Sequence, residues 1–322
     1  MAIAPDRPTG SARLQTGVAV LVTVITIALV GQHLDTEAIA ALQHDLSLTW
    51  LGTAGILFLA NYMLRALRFR LLTYSAAVPL IRTFGVSAIH GMFNYLLPAK
   101  LGEFAYPLLA RTQLGLSIRE GTATLIVARF WDFSVIAVLL PVVAIAFSPE
   151  LPHWMQLSMV AFPVIFLLTV AVALWFVSHT PSPFSGPPLG SRRLPALLVS
   201  LAAGLRSVHD QGNHLWLALL STGIWLCIYG NFYALVRTLG LETTLLEMAV
   251  VSTLLLPLTL IPIQGIANIG SHELAWVTAL GLFGHDLDTS LQMAVGTHVL
   301  LLLLVLLLAL AGLACISLTR RH

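Results

Sequence analysis

Long apolar runs separated by short polar stretches set the framework of this chain. Apolar residues dominate 16–30, 48–64, 121–147, 157–177, 214–236 and 291–318. Runs of this kind suit helices that cross a hydrocarbon core about 30 Å thick. Two further apolar regions are interrupted. Residues 83–97 would reach only about 22 Å as a helix, too short to cross. Pro98 ends that stretch, and 99–109 leads back toward Arg111 and Arg119, while Arg82 stands before it. Basic residues on both flanks mean that the chain enters and leaves on one side, which predicts a re-entrant helical hairpin near 83–110. Residues 245–261 and 272–283 flank a second break, at Pro262, Gly265 and Gly270. Glu242 and Glu247 precede it and Asp286 and Asp288 follow it, so this hairpin, near 245–283, opens to the opposite side.

The expected fold is therefore an all-α polytopic membrane protein with about six transmembrane helices and two re-entrant helical hairpins in an inverted-repeat-like arrangement. It forms one integral membrane domain over 1–322. A first half covers 1–178, a Pro-, Ser- and Gly-rich linker covers 179–195, and a second half covers 196–322. The stretch LPALLVSLAAGLRSVHD, 194–210, is too short and too polar at one end to span, and is expected to lie along the interface.

Composition agrees with this picture and charge adds a direction. The chain is 58% hydrophobic and 9% charged, against about 25% charged in soluble domains, which excludes a water-soluble fold. Of its sixteen Lys and Arg residues, Arg7, Arg13, Arg65, Arg68, Arg70, Arg82, Arg111, Arg119, Arg192, Arg193, Arg206, Arg320 and Arg321 fall on the side that the spans assign to the cytoplasm. Lys100 and Arg129 are intramembrane, and Arg237 alone lies outside. The positive-inside rule then puts both termini in the cytoplasm, for a multi-pass protein of the inner cell membrane. The run 16–30 also resembles a signal-peptide core, with AIAA at 38–41 as a cleavage site, but the polar insert HLDTE lies between them and favours a first span. Cys227 and Cys315 sit in apolar runs without metal-ligand spacing. No basic surface interleaved with aromatics points to nucleic acid.

The candidate chemistry lies at the breaks. FNYLLPAKLGEFAYPLL places Pro98, Lys100 (the only lysine), Gly102 and Glu103 within six residues. Proline is favoured at the first position of a new helix. A half-helix starting there would aim unpaired N–H groups into the membrane beside Lys100, a setting for phosphate or carboxylate. Lys100 could instead pair with Glu103 or snorkel to the interface. Glu103 is a counter-ion, a proton carrier or a cap, because a bare carboxylate in hydrocarbon is too costly. Arg129 and Asp132, three apart, share a helix face and form either a structural pair or a contact to a lipid phosphate. In the second break Gly265 and Gly270 permit irregular backbone, and Asn268 or Ser271 is expected to cap the helix that starts near His272 and Glu273. His272 is a weak metal or proton-relay candidate. His90, Asn94 and His298 are expected to be hydrogen-bonded packing groups on apolar helices. No metal, cofactor or catalytic residue is expected.

The segments RALRFRLL, HGMFNYLLPAKLGEFAYPLLAR, IVARFWD and PIQGIANIGSHE together resemble the lysylphosphatidylglycerol synthase transmembrane family, also called UPF0104, which includes the flippase domain of the bacterial multiple peptide resistance factor. The signature residues are Asn94, Leu97, Pro98, Gly102 and Glu103, then Arg129 and Asp132. Phe104, Ala105 and Tyr106 stand where the family often has a basic residue, and the glycine segment before Glu273 carries extra residues. The resemblance implies translocation of a phosphate-bearing phospholipid or isoprenoid-linked lipid. The substrate-binding set would be Asn94, Pro98, Lys100, Gly102, Glu103, Arg129, Asp132, Gly265, Asn268, Gly270, His272 and Glu273, with an anionic membrane lipid as partner. Bifunctional members also carry a soluble aminoacyl-transfer domain, which nothing after Leu318 could supply. The alternatives are an intramembrane lipid-modifying enzyme using Glu103 or Glu273, and an accessory subunit of a lipid or glycan synthesis system. A second copy of the chain or a lipid-synthesising partner stays open.

Overall fold

The structure, a computed structural model, describes residues 21, 23–26, 28, 46–73, 78–146, 152–179, 213–260 and 265–319. The expected first span, the loop after it, the 179–195 linker, the interfacial 194–210 segment, Pro262 and the terminal Arg320 and Arg321 lie largely or wholly outside them. Among the described residues every regular element is helical: α1 (Leu48–Leu72), α2 (Leu80–Leu96), a 3-10 turn (Pro98–Phe104), α3 (Ala105–Leu114), α4 (Ile118–Ala146), α5 (His153–His179), α6 (His214–Thr238), α7 (Leu245–Leu260), a second 3-10 turn (Ile266–Asn268), α8 (Ser271–Leu282) and α9 (Leu287–Thr319). Helices α1, α6 and α9 and the stretch Ile118–Val142 of α4 are long and apolar enough to cross a membrane. The chain is an all-α polytopic membrane protein.

The helix starts follow from local chemistry. Ser117 and Glu120 exchange bonds at the head of α4: the Ser117 hydroxyl accepts the Glu120 N–H at 3.1 Å, and the Glu120 carboxylate accepts the Ser117 N–H at 2.7 Å. Thr244 and Glu247 repeat the exchange at α7, at 3.1 and 2.8 Å. Each satisfies two backbone donors that a helix start leaves open. Pro141 and Pro163 lie inside α4 and α5, as transmembrane helices tolerate. Helix α1 is longer than the apolar run predicts, because RALRFR continues the helix to Leu72. The reason is that Arg68 is buried and paired instead of facing water.

The residues group into two compact units. The first comprises Met1–Gly55, His90–Ala105 and Asn231–Leu307. Its core joins Val236 and Leu239 after α6's midpoint, Met248 and Val251 of α7, Ala275, Trp276, Ala279 and Leu280 of α8, and Met293 and Ala294 of α9. Trp276 is fully enclosed. Helices α7 and α8, on either side of the second break, pack on each other.

The second unit comprises Ile56–Ile89, Tyr106–Gly230 and Leu308–His322. Here α4 packs on α5 through Phe130, Phe133, Phe162 and Phe166. Gly85 of α2 and Gly312 of α9 let two backbones meet: a Cβ on Gly85 would lie 2.7 Å from Ile316 Cγ1 and 2.8 Å from the Gly312 carbonyl. Such close approach through small residues is a main source of helix association in a bilayer, where apolar burial contributes little. Ile89 of α2 lines one groove with Leu109 and Gln113 of α3 and with Leu313 of α9.

Candidate functional site

The first unit brings the two breaks together: the Pro98–Phe104 turn packs against Ile266–Asn268. Pro98 opens the turn as its first residue, with Leu97 extended at φ −82°, ψ 132° and no side chain capping the start. The element is 3-10, not the α-helix expected at Pro98; α-geometry begins only at Ala105. The dipole of a long half-helix is therefore not focused at Pro98, because seven residues of 3-10 helix intervene. Gly102 explains why the turn sits so close to α2. A side chain there would overlap the backbone of Phe93 and Asn94.

Glu103 does not depend on Lys100 for a neighbour. Its carboxylate lies 3.8 Å from His90 Nε2, with His90 buried and Glu103 about a quarter exposed. The side chain of Lys100 lies outside the described residues. His90, expected as a packing group, thus faces Glu103 across the first break.

The second break is held by a tighter set of contacts. Ala267 and Asn268 both adopt left-handed backbone, at φ 55° and 64°, and Gly270 has φ 93°. Asn tolerates that region; Ala pays about 1–2 kcal/mol for it. A Cβ on Gly265 would overlap the Ile269 carbonyl and the Thr23 hydroxyl, and Thr23 Oγ1 accepts the Ile266 N–H at 3.0 Å. Neither Asn268 nor Ser271 caps α8, contrary to expectation. Ser271 turns its hydroxyl back to the Asn268 carbonyl at 3.0 Å, and the helix start is served by Glu273, whose Oε2 accepts the Gly270 N–H at 2.6 Å. The cap position falls on Gly270, which has no side chain to accept the N3 N–H, so the start is held only from the other direction, by Glu273 reaching back to the Gly270 N–H near the positive end of the helix.

Glu273 also faces His298, 25 residues on in sequence. Its Oε1 lies 2.5 Å from His298 Nδ1, and His298 Nε2 donates to the Ala267 carbonyl at 2.9 Å. Both side chains are buried. The His272 ring lies beside that of His298, with centroids 4.6 Å apart, and its Nε2 is 3.3 Å from Thr297 Oγ1. Tyr95, at the end of α2, sets its ring edge-on to His298 at 5.9 Å. His298 is hydrogen-bonded, as a packing histidine should be, but its partner is the carboxylate at the centre of the second break.

Arg129 and Asp132 belong to the second unit. Their spacing does pair them, at 3.0 Å between Arg129 Nη1 and Asp132 Oδ2. The stronger partner is Arg68 of α1, whose Nη1 and Nη2 reach Asp132 Oδ1 and Oδ2 at 2.6 and 3.2 Å. Arg68 is fully enclosed and also donates to Ser221 of α6 at 2.9 Å. Arg65, one turn earlier, donates from Nε to Asn61 Oδ1 at 2.7 Å, and its guanidinium lies over the Tyr62 ring at 5.7 Å. Arg68 and His298 are the residues whose place in these networks the sequence did not announce. One signal was present for the first: Asn61, Arg65 and Arg68 fall at i, i+4 and i+7, a polar stripe on an apolar helix.

Neither a curated protein nor a solved structure matches the chain. The family model described as lysylphosphatidylglycerol synthase TM region matches residues 16–309. With nearly its whole length matched and the Asn94 to Glu103 signature folded as the first of two polar breaks, the chain belongs to the lysylphosphatidylglycerol synthase TM region family.

Proposed function

We propose that the protein is a flippase-like transporter that moves a phosphate-bearing lipid between leaflets. The observation that carries this is the meeting of the two 3-10 turns, irregular breaks with Glu103 in one and His272 and Glu273 beside the other, inside a chain of apolar helices. Irregular polar backbone at membrane depth is tolerated where it is buried in protein or lines a cavity, and paired breaks of this kind mark transport sites. The head group is handled by the residues of the breaks, namely Asn94, Pro98, Lys100, Gly102 and Glu103 from the first and Gly265, Asn268, Gly270, His272 and Glu273 from the second. Arg129, about a quarter exposed at its side chain beside a buried Asp132, supplies a guanidinium suited to a lipid phosphate. Asp132 positions it.

In this scheme the two halves, 1–178 and 196–322, each contribute one hairpin, opening to opposite faces. The protein resides in the inner cell membrane with both termini in the cytoplasm, which the distribution of arginines supports.

Purified protein in vesicles carrying a fluorescent anionic phospholipid tests the function. Leaflet exchange that is lost in Lys100→Ala and Glu103→Gln supports transport. A covalently altered lipid would instead make the chain a lipid-modifying enzyme. Neither exchange nor modification would leave an accessory role.

A further inference from the structure

The contacts of His298 fix a proton count. The Ala267 carbonyl can only accept, so His298 Nε2, at 2.9 Å from it, carries a hydrogen. Nδ1 and Glu273 Oε1 lie 2.5 Å apart, too close for two lone pairs to face each other, so one proton lies between them. Drawn as imidazolium and carboxylate, or as imidazole and carboxylic acid, the pair holds the same protons and has no net charge. That is the form apolar surroundings tolerate. Loss of the shared proton leaves a net charge of −1 and sets two acceptors against each other.

The pair also fastens a turn. His298 on α9 holds the carbonyl of left-handed Ala267, and Glu273 on α8 holds the N–H of Gly270. The irregular stretch 265–270 is therefore held, at Ala267 and at Gly270, by the two side chains that share one proton, and loss of that proton sets those side chains against each other. The titratable groups facing the pair are His272 on α8 and Tyr95 on α2. The turn itself offers backbone, the Thr23 hydroxyl and Asn268, and the first break, which packs against it, carries Glu103 with His90 beside it.

We propose that Glu273 and His298 together form a binding site for one exchangeable proton, and that this proton is the coupling ion of transport. With it bound, the second break is latched to α8 and α9; without it, residues 265–270 are released from α9 and from their packing against the first break. The coupling rests on the transport function proposed above, whereas the proton site stands on the geometry alone.

Hydrogen exchange of the 265–270 amides in the full chain, held in lipid nanodiscs and corrected for intrinsic rates, tests the site between about pH 5 and about pH 9. The wild type should lose protection as pH rises, by up to about tenfold per unit for one linked proton. Glu273→Gln should hold its protection across the range. Its amide N–H can donate to Nδ1 and its oxygen can accept from Gly270, so it copies the protonated pair with nothing to titrate. His298→Ala should be unprotected throughout. A flat wild-type profile, or Glu273→Gln that titrates like wild type, overturns the site. In vesicles, an imposed pH gradient should change the wild-type exchange rate and leave Glu273→Gln without response. Wild-type exchange that ignores the gradient overturns the coupling while leaving transport intact. Absence of any exchange overturns transport, and the nanodisc measurement still decides the proton site.

Discussion

Asp132 gives the sharpest stability prediction, because its neighbours differ so much in burial. It accepts two bonds from Arg68 and one from Arg129. Arg68 is 1% exposed at its side chain, and Arg129 is 28% exposed. Replacing Asp132 with Leu strands the enclosed Arg68 guanidinium, the circumstance in which breaking a buried pair costs about 3–5 kcal/mol. Asp132→Asn keeps one acceptor and loses the charge, so it should fall below that. Arg129→Ala removes a partly solvated contact and should cost no more than about 1 kcal/mol. The double variant Arg68→Met with Asp132→Leu leaves only the partly exposed Arg129 without its carboxylate and should recover most of the loss, a non-additivity of about 2 kcal/mol or more. Apparent melting temperatures in detergent would rank the set, with Asp132→Leu lower by on the order of 10 °C. Finding Arg129→Ala as damaging as Asp132→Leu, or the double variant equal to the sum of the singles, would refute the assignment of Arg68 as the principal partner. It would also weaken the division of labour in which Arg129 is the functional cation. That division predicts that Arg129→Ala stays folded and loses lipid exchange.

Further outcomes follow from the backbone. Gly102→Ala should disrupt the first break, because the added Cβ would overlap the Asn94 backbone; detergent extraction yield and melting would report it, and a fully stable variant would contradict the close approach. Gly270→Ala places a side chain at φ 93° and should cost on the order of 1–3 kcal/mol, whereas Ala267→Gly, at φ 55°, should be neutral or stabilise by up to about 1 kcal/mol. The reverse order in melting would count against the left-handed turn. Gly85→Leu should weaken the α2 to α9 crossing in the second unit, visible as lost cross-linking between cysteines placed on the two helices. Asp286 heads α9 and accepts the Thr289 N–H at 2.8 Å and its hydroxyl at 2.9 Å; the N–H bond first, then the hydroxyl, holds its carboxyl below the ordinary range. Its folded value is therefore the lower one, so the cap is fully effective above the unfolded value and fades as pH falls through the folded one. Hydrogen exchange at the first turn of α9 should rise in acid, and should not do so in Asp286→Asn.

What could be read from the chain and what could not divide along range in sequence. Pro98, Gly102 and the glycines at 265 and 270 act on their own backbone, so the breaks and their neighbouring helices were legible. Arg129 and Asp132 were legible as a pair because three residues is a helical neighbour distance. Arg68 lies 64 residues from Asp132, and helical spacing says nothing about which helices meet. Its position near the end of α1, beside Arg65 and Arg70, made it look like a topological marker. His298 was obscured for a similar reason: a lone histidine on an apolar helix has no periodic partner, and Glu273 satisfies it from 25 residues away. The expected caps at Asn268 and Ser271 failed on register: the helix starts two residues later than an Asn268 cap would need and one earlier than a Ser271 cap would need, with Gly270 at the cap position.

Helix α9 has 33 residues, about 50 Å at 1.5 Å each. Its uncharged stretch 299–318 alone covers about 30 Å, the full depth of a bilayer's oily layer. A helix that much longer than the layer must tilt or run on past it, and the depth of His298 is set by how α9 divides that surplus between its two ends. Membranes with thinner or thicker acyl layers would change that division and, with it, how far a proton must travel from bulk solvent to the imidazole.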